Sequence, residues 1–205
     1  MSDRDKDIAP RGWYSRGYLP HFDAGEFRTQ FITCRLYDSL PQSVLATIDD
    51  EIRLRKPENI SRATFVLAER YLDNGYGQCF LGNPAVAKVV QNALLKYDGE
   101  RYKLLAWVVM PNHIHALIRA AKGYRLEKIM HSIKSYSASE GNKILGRKGH
   151  FWMRETFDRY IRDAGHFERA VRYIENNPVK AKLCSNPEDW EFSSAFKASR
   201  SMGEN

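Results

Sequence analysis

The chain predicts an α+β fold, an antiparallel sheet with helices on one face and extra helices inserted after the first strand. Three observations lead there. Residues 27–37 (FRTQFITCRLY) place Phe27, Thr29, Phe31 and Thr33 at alternate positions among β-favouring residues, the period of a strand. Two further apolar runs, 102–110 and 113–120, are separated by Pro111-Asn112 and lie close enough to form a hairpin. Segments of helical period fall between and after these strands, so the order is strand, helix, inserted helices, strand, strand, helix, strand. At 205 residues the chain is long enough to bury one full core, and 12% aromatic residues exclude a disordered polymer.

Each element has its own signal. Residues 1–20 read as a flexible basic N-terminal segment. Its later part, Arg11 to His21, mixes Arg, Gly and aromatics, which suits tracking a phosphate backbone while stacking bases, or equally a lead-in packed on the domain. A single domain is expected over 21–196, with a disordered tail at 197–205. After the first strand, Ser39-Leu-Pro-Gln opens a helix to about residue 55, with Pro41 suited to its first turn. Residues 57–82 are the hardest to place: 61–72 read as helix and Asp73-Asn-Gly-Tyr-Gly as a turn cluster. Asn83 is an N-cap with Pro84 at the first position of a helix to about Tyr97. Asp98-Gly-Glu turns into the strand pair. A helix over about 125–145, a basic turn at Gly146-Arg-Lys-Gly149 and a short strand at 157–161 follow. Phe167, Ala170, Val171 and Ile174 recur at helical spacing, so 165–177 is an amphipathic helix. Pro178 is expected to end it at Asn177, because the residue before proline is biased out of the α region.

The formal charge of +7 and pI near 9.3 point to an anionic partner, most commonly nucleic acid. No apolar run reaches the ~18 residues of a membrane span, and the N-terminus has no apolar signal core, so a cytoplasmic protein without a membrane partner is expected. Cys34, Cys79 and Cys184 are odd in number and widely spaced. They form neither a disulfide framework nor a zinc motif and read as small buried hydrophobes.

The chemistry concentrates in two stretches. In 107–118 (WVVMPNHIHALI), His113 and His115 flank Ile114 within a strand, so both imidazoles point to one face and Ile114 to the other. Two adjacent imidazoles are half of a metal site, although an isolated His-x-His is more often ordinary packing. In the amphipathic helix, Tyr173 and Asn177 stand at i and i+4 on one face. A phenol and a carboxamide there can act as nucleophile and third ligand, provided Asn177 comes close to the histidines. The plain alternative is a half-buried ring and a helix cap.

Together these stretches resemble the single-tyrosine HUH transposases, and most closely the REP-associated tyrosine transposases. The resemblance rests on WVVMPNHIHALI (107–118), SIKSYS (132–137), FWMRETFDRYIRD (151–163), YIENNPVKAKL (173–183) and DWEFSS (189–194), and spans roughly 10–196. Asn177 stands where insertion-sequence relatives commonly carry Gln, which suits the REP-associated branch. The resemblance implies a ferredoxin-like sheet and metal-dependent cleavage and rejoining of single-stranded DNA at REP hairpins, a reaction of DNA transposition and REP mobilisation. Tyr173 would be the nucleophile, forming a 5′-phosphotyrosine link, and His113, His115 and Asn177 the ligands of Mg²⁺ or Mn²⁺. It also implies that the segment around Arg11 and Arg16 takes part in DNA recognition. No Walker-type glycine loop occurs, in keeping with a reaction that needs no nucleotide cofactor.

Lys134, Arg147, Lys148, Arg154, Arg159 and Arg162 form a basic tract before the tyrosine helix. It reads as phosphate contacts or as an ordinary solvated face, with Lys134, Arg154, Arg159 and Arg162 the stronger DNA candidates. His131 reads as a surface-helix residue and Trp152 as core rather than a stacking platform. Tyr136 and Tyr160 are competing nucleophiles, but Glu140 and Ala164 stand four residues on where a carboxamide is needed. A monomer is slightly favoured over a homodimer. The alternative function is a non-catalytic REP hairpin binder derived from a transposase. Histidine-triad hydrolases need a third histidine where Leu117 stands, and paired His-x-Thr/Ser phosphoesterase motifs do not occur.

Overall fold

Four antiparallel strands, in the order β4-β5-β3-β6, make the central sheet of this computed structural model, which describes residues 12–15, 20–23 and 28–197. Along the chain run β1 (Gly12–Ser15), β2 (Pro20–Asp23), β3 (Thr29–Arg35), α1 (Gln42–Arg55), α2 (Ile60–Asp73), α3 (Pro84–Leu95), β4 (Tyr102–Val109), β5 (His113–Ala120), α4 (Leu126–Ile144), β6 (Phe157–Tyr160), α5 (Ala164–Glu175) and α6 (Asn177–Lys180). Setting aside the first strand pair and the inserted helices, this is a β-α-β-β-α-β chain whose first strand lies between its third and fourth. That is the ferredoxin-like arrangement.

The strands alternate as the sequence requires. Ile32, Cys34, Ile114, Ala116 and Ile118 face α3 and α4, meeting Val86, Val90, Leu94, Ile129 and Ile133 in the larger core. Phe31, Ala106, Val108 and Leu117 face the other way and meet Ala170 and Ile174 of α5. On that second face Phe65 of α2 stacks on Phe157 of β6, ring centroids 4.0 Å apart. The pair of helices expected on one face is α3 and α4; the tyrosine helix and the insertion occupy the opposite face. A register shift between Leu104 and Ala106 puts one extra residue in β4. Leu105 and Ala106 therefore both serve the α5 face, while Tyr102, Leu104, Trp107 and Val109 serve the other.

The insertion, α1 and α2, carries a small core of its own: Leu40, Val44, Ile48, Leu67 and Leu72. Its two ends are closed on each other. Gln78 N–H donates to Asp38 O at 3.0 Å, and Gly77, at φ +71°, lies so close that a Cβ there would sit 2.1 Å from Asp38 O. At the outer side of β4, Val109 N–H donates to Phe192 O (2.8 Å), Ser194 N–H to Trp107 O (2.9 Å) and the Trp190 indole N–H to Val109 O (3.0 Å).

Several expectations need revision. Pro178 does not stop the helical path. Asn176 stays in the right-handed helical region and a further short helix, α6, begins at Asn177 with proline in its first turn. Proline lacks the N–H that would continue the α5 ladder, yet its fixed φ suits a helix start. Cys34 is buried as expected, but Cys79 is exposed and Cys184 half-buried. Gly12–Ser15 pairs antiparallel with Pro20–Asp23. Arg11, Arg16 and residues 198–205 lie outside the described residues. Among the described residues no helix is long and apolar enough to cross a membrane.

Candidate active site

The register of β5 on β3 sets His115 opposite Thr33 and His113 opposite Arg35, with both imidazoles on the α5 face. Thr33 Oγ1 lies 2.8 Å from His115 Nδ1. Asn112, the residue before the motif, donates its amide N–H to Leu72 O (3.0 Å) and Tyr76 O (3.2 Å) at the end of the insertion. Its Oδ1 is therefore the atom left to accept from His113 Nδ1–H at 2.7 Å. That fixes the tautomer of His113 and leaves its Nε2 with a lone pair, the usual second support of a metal-binding histidine. The two Nε2 atoms stand 3.1 Å apart.

Glu69 of α2 completes the cluster. Its Oε2 lies 3.0 Å from His115 Nε2 and accepts the Tyr173 hydroxyl at 2.6 Å. Glu69, His113 and His115 are all buried, with one ligand atom from each within 4.8 Å of the others. Burial by itself would raise the Glu69 carboxyl, but His115, His113 and the Tyr173 hydroxyl outweigh it and hold it down at about 2. Burial, together with neighbouring His115, keeps the His113 imidazole neutral down to about 3. Burial and the adjacent Glu69 carboxylate push the Tyr173 phenol far above its ordinary range.

One turn further along both helices the pattern repeats. Asn177 is completely buried and donates Nδ2–H to Asp73 Oδ1 at 3.3 Å, and the other Asp73 oxygen pairs with Lys180. Asn177 Oδ1 is buried and has no hydrogen-bond partner among the described residues. Thus Glu69 and Asp73, at i and i+4 on α2, face Tyr173 and Asn177, at i and i+4 along α5 and into α6.

These residues fit a divalent cation. Neighbouring ligands of a six-coordinate ion with bonds of ~2.1 Å stand about 3 Å apart, as the imidazole nitrogens and the Glu69 oxygen do. A buried carbonyl oxygen left unpaired costs roughly 1–3 kcal/mol, which a cation would recover. Two imidazoles and a carboxylate are a donor set that a divalent cation accepts.

Of the residues expected from sequence, His113, His115 and Tyr173 come together, and Asn177 lies one helical turn beyond Tyr173 in the same row. Glu69, Asp73 and Asn112 were missed. Tyr136 lies on α4, across the sheet from the histidines, and Tyr160 alternates with Phe157 onto neither the α5 face nor the cluster. Lys134 donates to Met153 O (2.7 Å), Arg154 O (3.0 Å) and Thr156 Oγ1 (3.2 Å), which ties its ammonium to the 153–156 loop. Arg154, Arg159 and Arg162 are exposed. Trp152 is core, its indole N–H donating to Ser137 Oγ at 2.9 Å.

Residues 83–177 match the family model described as "Transposase IS200 like". The matched stretch holds both histidines, Tyr173 and Asn177. Among solved structures, the chain is similar to a REP-associated tyrosine transposase bound to a REP hairpin: 20% identity, 88% of this chain and 81% of that one covered, TM-score 0.53. A protein crystallised as a candidate transposase of Deinococcus radiodurans aligns at 14% identity over 80% of this chain and 96% of its own, TM-score 0.36. No curated protein matches.

Proposed function

We propose that this chain cleaves and rejoins single-stranded DNA at REP hairpin sequences with Tyr173 as nucleophile and His113, His115 and Asn177 as metal ligands. The observation that carries the reading is the Tyr173 hydroxyl, 2.6 Å from the same Glu69 oxygen that lies 3.0 Å from His115 Nε2. Nucleophile and ligand set meet at one carboxylate.

The phenol is a poor nucleophile while neutral, and a phosphodiester repels attack by its charge. A divalent ion, when bound, would polarise the scissile phosphate and offset that charge. Glu69 holds the Tyr173 hydroxyl on the side of the histidines. Attack forms a Tyr173 Oη–P bond and breaks the P–O3′ bond; the proton lost by the phenol is balanced by the one the leaving O3′ takes up, so a 3′-OH is released and a 5′-phosphotyrosine remains. Attack by another 3′-OH reverses the exchange, so one ester replaces another without ATP. His113 and His115 have no exposed surface.

The REP hairpin assignment draws on the hairpin-bound relative. Arg154, Arg159 and Arg162, with Arg11 and Arg16, would contact phosphates and set the position of the DNA rather than read its sequence. Lys134, tied to the 153–156 loop, would support this surface. A monomer is slightly favoured over a homodimer in this reading.

Labelled single-stranded REP hairpin DNA, mixed with the protein and Mn²⁺ and run on a denaturing gel, tests this. A covalent band lost with EDTA and with Tyr173→Phe supports the reading. Capture that survives Tyr173→Phe moves the nucleophile to another tyrosine. Binding without capture leaves a hairpin-binding protein.

A further inference from the structure

We propose that Asp73, on the inserted helix α2, is a positioning residue for the metal site and acts through Asn177. The inference rests on the reading of Asn177 as a ligand. A primary amide presents oxygen on one side and two N–H donors on the other, and it binds a cation through oxygen. In a buried site something must decide which way it turns. Asp73 does so because an ionised carboxylate accepts and cannot donate. By taking Asn177 Nδ2–H at 3.3 Å it forces Oδ1 to the opposite side, where that oxygen is buried and unpartnered. Lys180 pairs with the second Asp73 oxygen. This holds the carboxylate in place, so the chain Lys180–Asp73–Asn177 ends in one oriented acceptor that has no partner among the described residues.

The position of Asp73 is as telling as its contact. It follows Glu69 by one helical turn, and its side chain is 6% exposed. A carboxylate so buried needs a partner, and its partners are the two residues that follow Tyr173 by four and seven positions. Residues that orient ligands from behind typically set metal affinity by 10–100-fold.

The test is Mn²⁺ affinity, read by electron paramagnetic resonance of the free ion in titrations without DNA, on wild type, Asp73→Ala, Asp73→Asn, Asn177→Ala and the double variant Asp73→Ala/Asn177→Ala. Asp73→Ala is expected to weaken Mn²⁺ binding by about 10–100-fold, with Asp73→Asn, whose amide can accept from Asn177 but can also donate to it, falling between that variant and wild type. The double variant is expected to bind like Asn177→Ala, since the positioning has nothing left to position. Wild-type affinity in Asp73→Ala overturns the proposal. So does a double variant weakened by the full factor beyond Asn177→Ala, which would mean that Asp73 acts elsewhere in the fold. If Asn177→Ala binds Mn²⁺ like wild type, the ligand reading itself has failed and the proposal falls with it. Thermal unfolding confirms that each variant is folded, and Asp73→Ser replaces the alanine variant should that one not fold.

Discussion

Acid should destabilise the metal-free protein through His113 before Glu69 takes part. Its imidazole, ordinarily at 6.5, is held at about 3 by burial and by His115. Above pH 6.5 the folded and unfolded states are both neutral there and stability does not depend on pH. Between 6.5 and about 3 the unfolded chain binds a proton that the folded chain refuses, so stability falls as pH falls, by ~1.4 kcal/mol per unit. Moving from pH 7.5 to pH 5 crosses one and a half of those units, a loss of about 2 kcal/mol. Glu69 is held at about 2 against an ordinary 4.5, so its window opens only below pH 4.5 and it adds nothing at pH 5. Urea unfolding in EDTA at the two pH values reads the effect as a midpoint shift of roughly 1 M. His113→Asn, whose amide can still meet Asn112, should start less stable and lose much less between the two pH values. Parallel losses in wild type and His113→Asn would show that the acid sensitivity lies elsewhere.

Three further outcomes follow from the packing. Gly77→Ala places a Cβ in the left-handed region and 2.1 Å from Asp38 O, so the neck of the insertion must open; a loss above about 2 kcal/mol is expected, with hydrogen exchange rising first in α1 and α2. Ile174→Ala empties a fully buried position between α5 and the sheet and should cost roughly 2–5 kcal/mol in a denaturant titration. Ser137→Ala leaves the buried Trp152 indole N–H without its acceptor and should lower the melting temperature by an amount equivalent to about 1–3 kcal/mol, with a change in tryptophan emission.

What could be read from the sequence was what local pattern determines. Alternation placed β3 and β5, Asn83-Pro84 placed the start of α3, and the spacing of Ala170 and Ile174 gave the buried face of α5. The bulge at Leu105 was invisible, because it depends on which residues of β5 it opposes. The metal half-site was legible because His113 and His115 are two residues apart on one strand. Glu69 and Asp73 were not, since Tyr173 and Asn177, which they meet, are each 104 residues away. A trace did exist: Phe65, Glu69 and Asp73 form one i, i+4, i+8 row, and a carboxylate in line with Phe65 on a helix that buries that face needs a buried partner. Asn112 went unrecognised as the link between the insertion and His113, because its sequence position in a turn gave it a sufficient local explanation.

A sheet grows by offering a bare row of N–H and C=O groups to another strand. On the β4 side of this sheet that row is already engaged, with Trp107 and Val109 paired to Phe192 and Ser194 and capped by the Trp190 indole. A second copy cannot simply add itself there by strand augmentation; it would first have to peel residues 190–194 away and replace every bond they make. Association through β4 is thus an exchange rather than an addition, with the activation cost of local unfolding built into its rate.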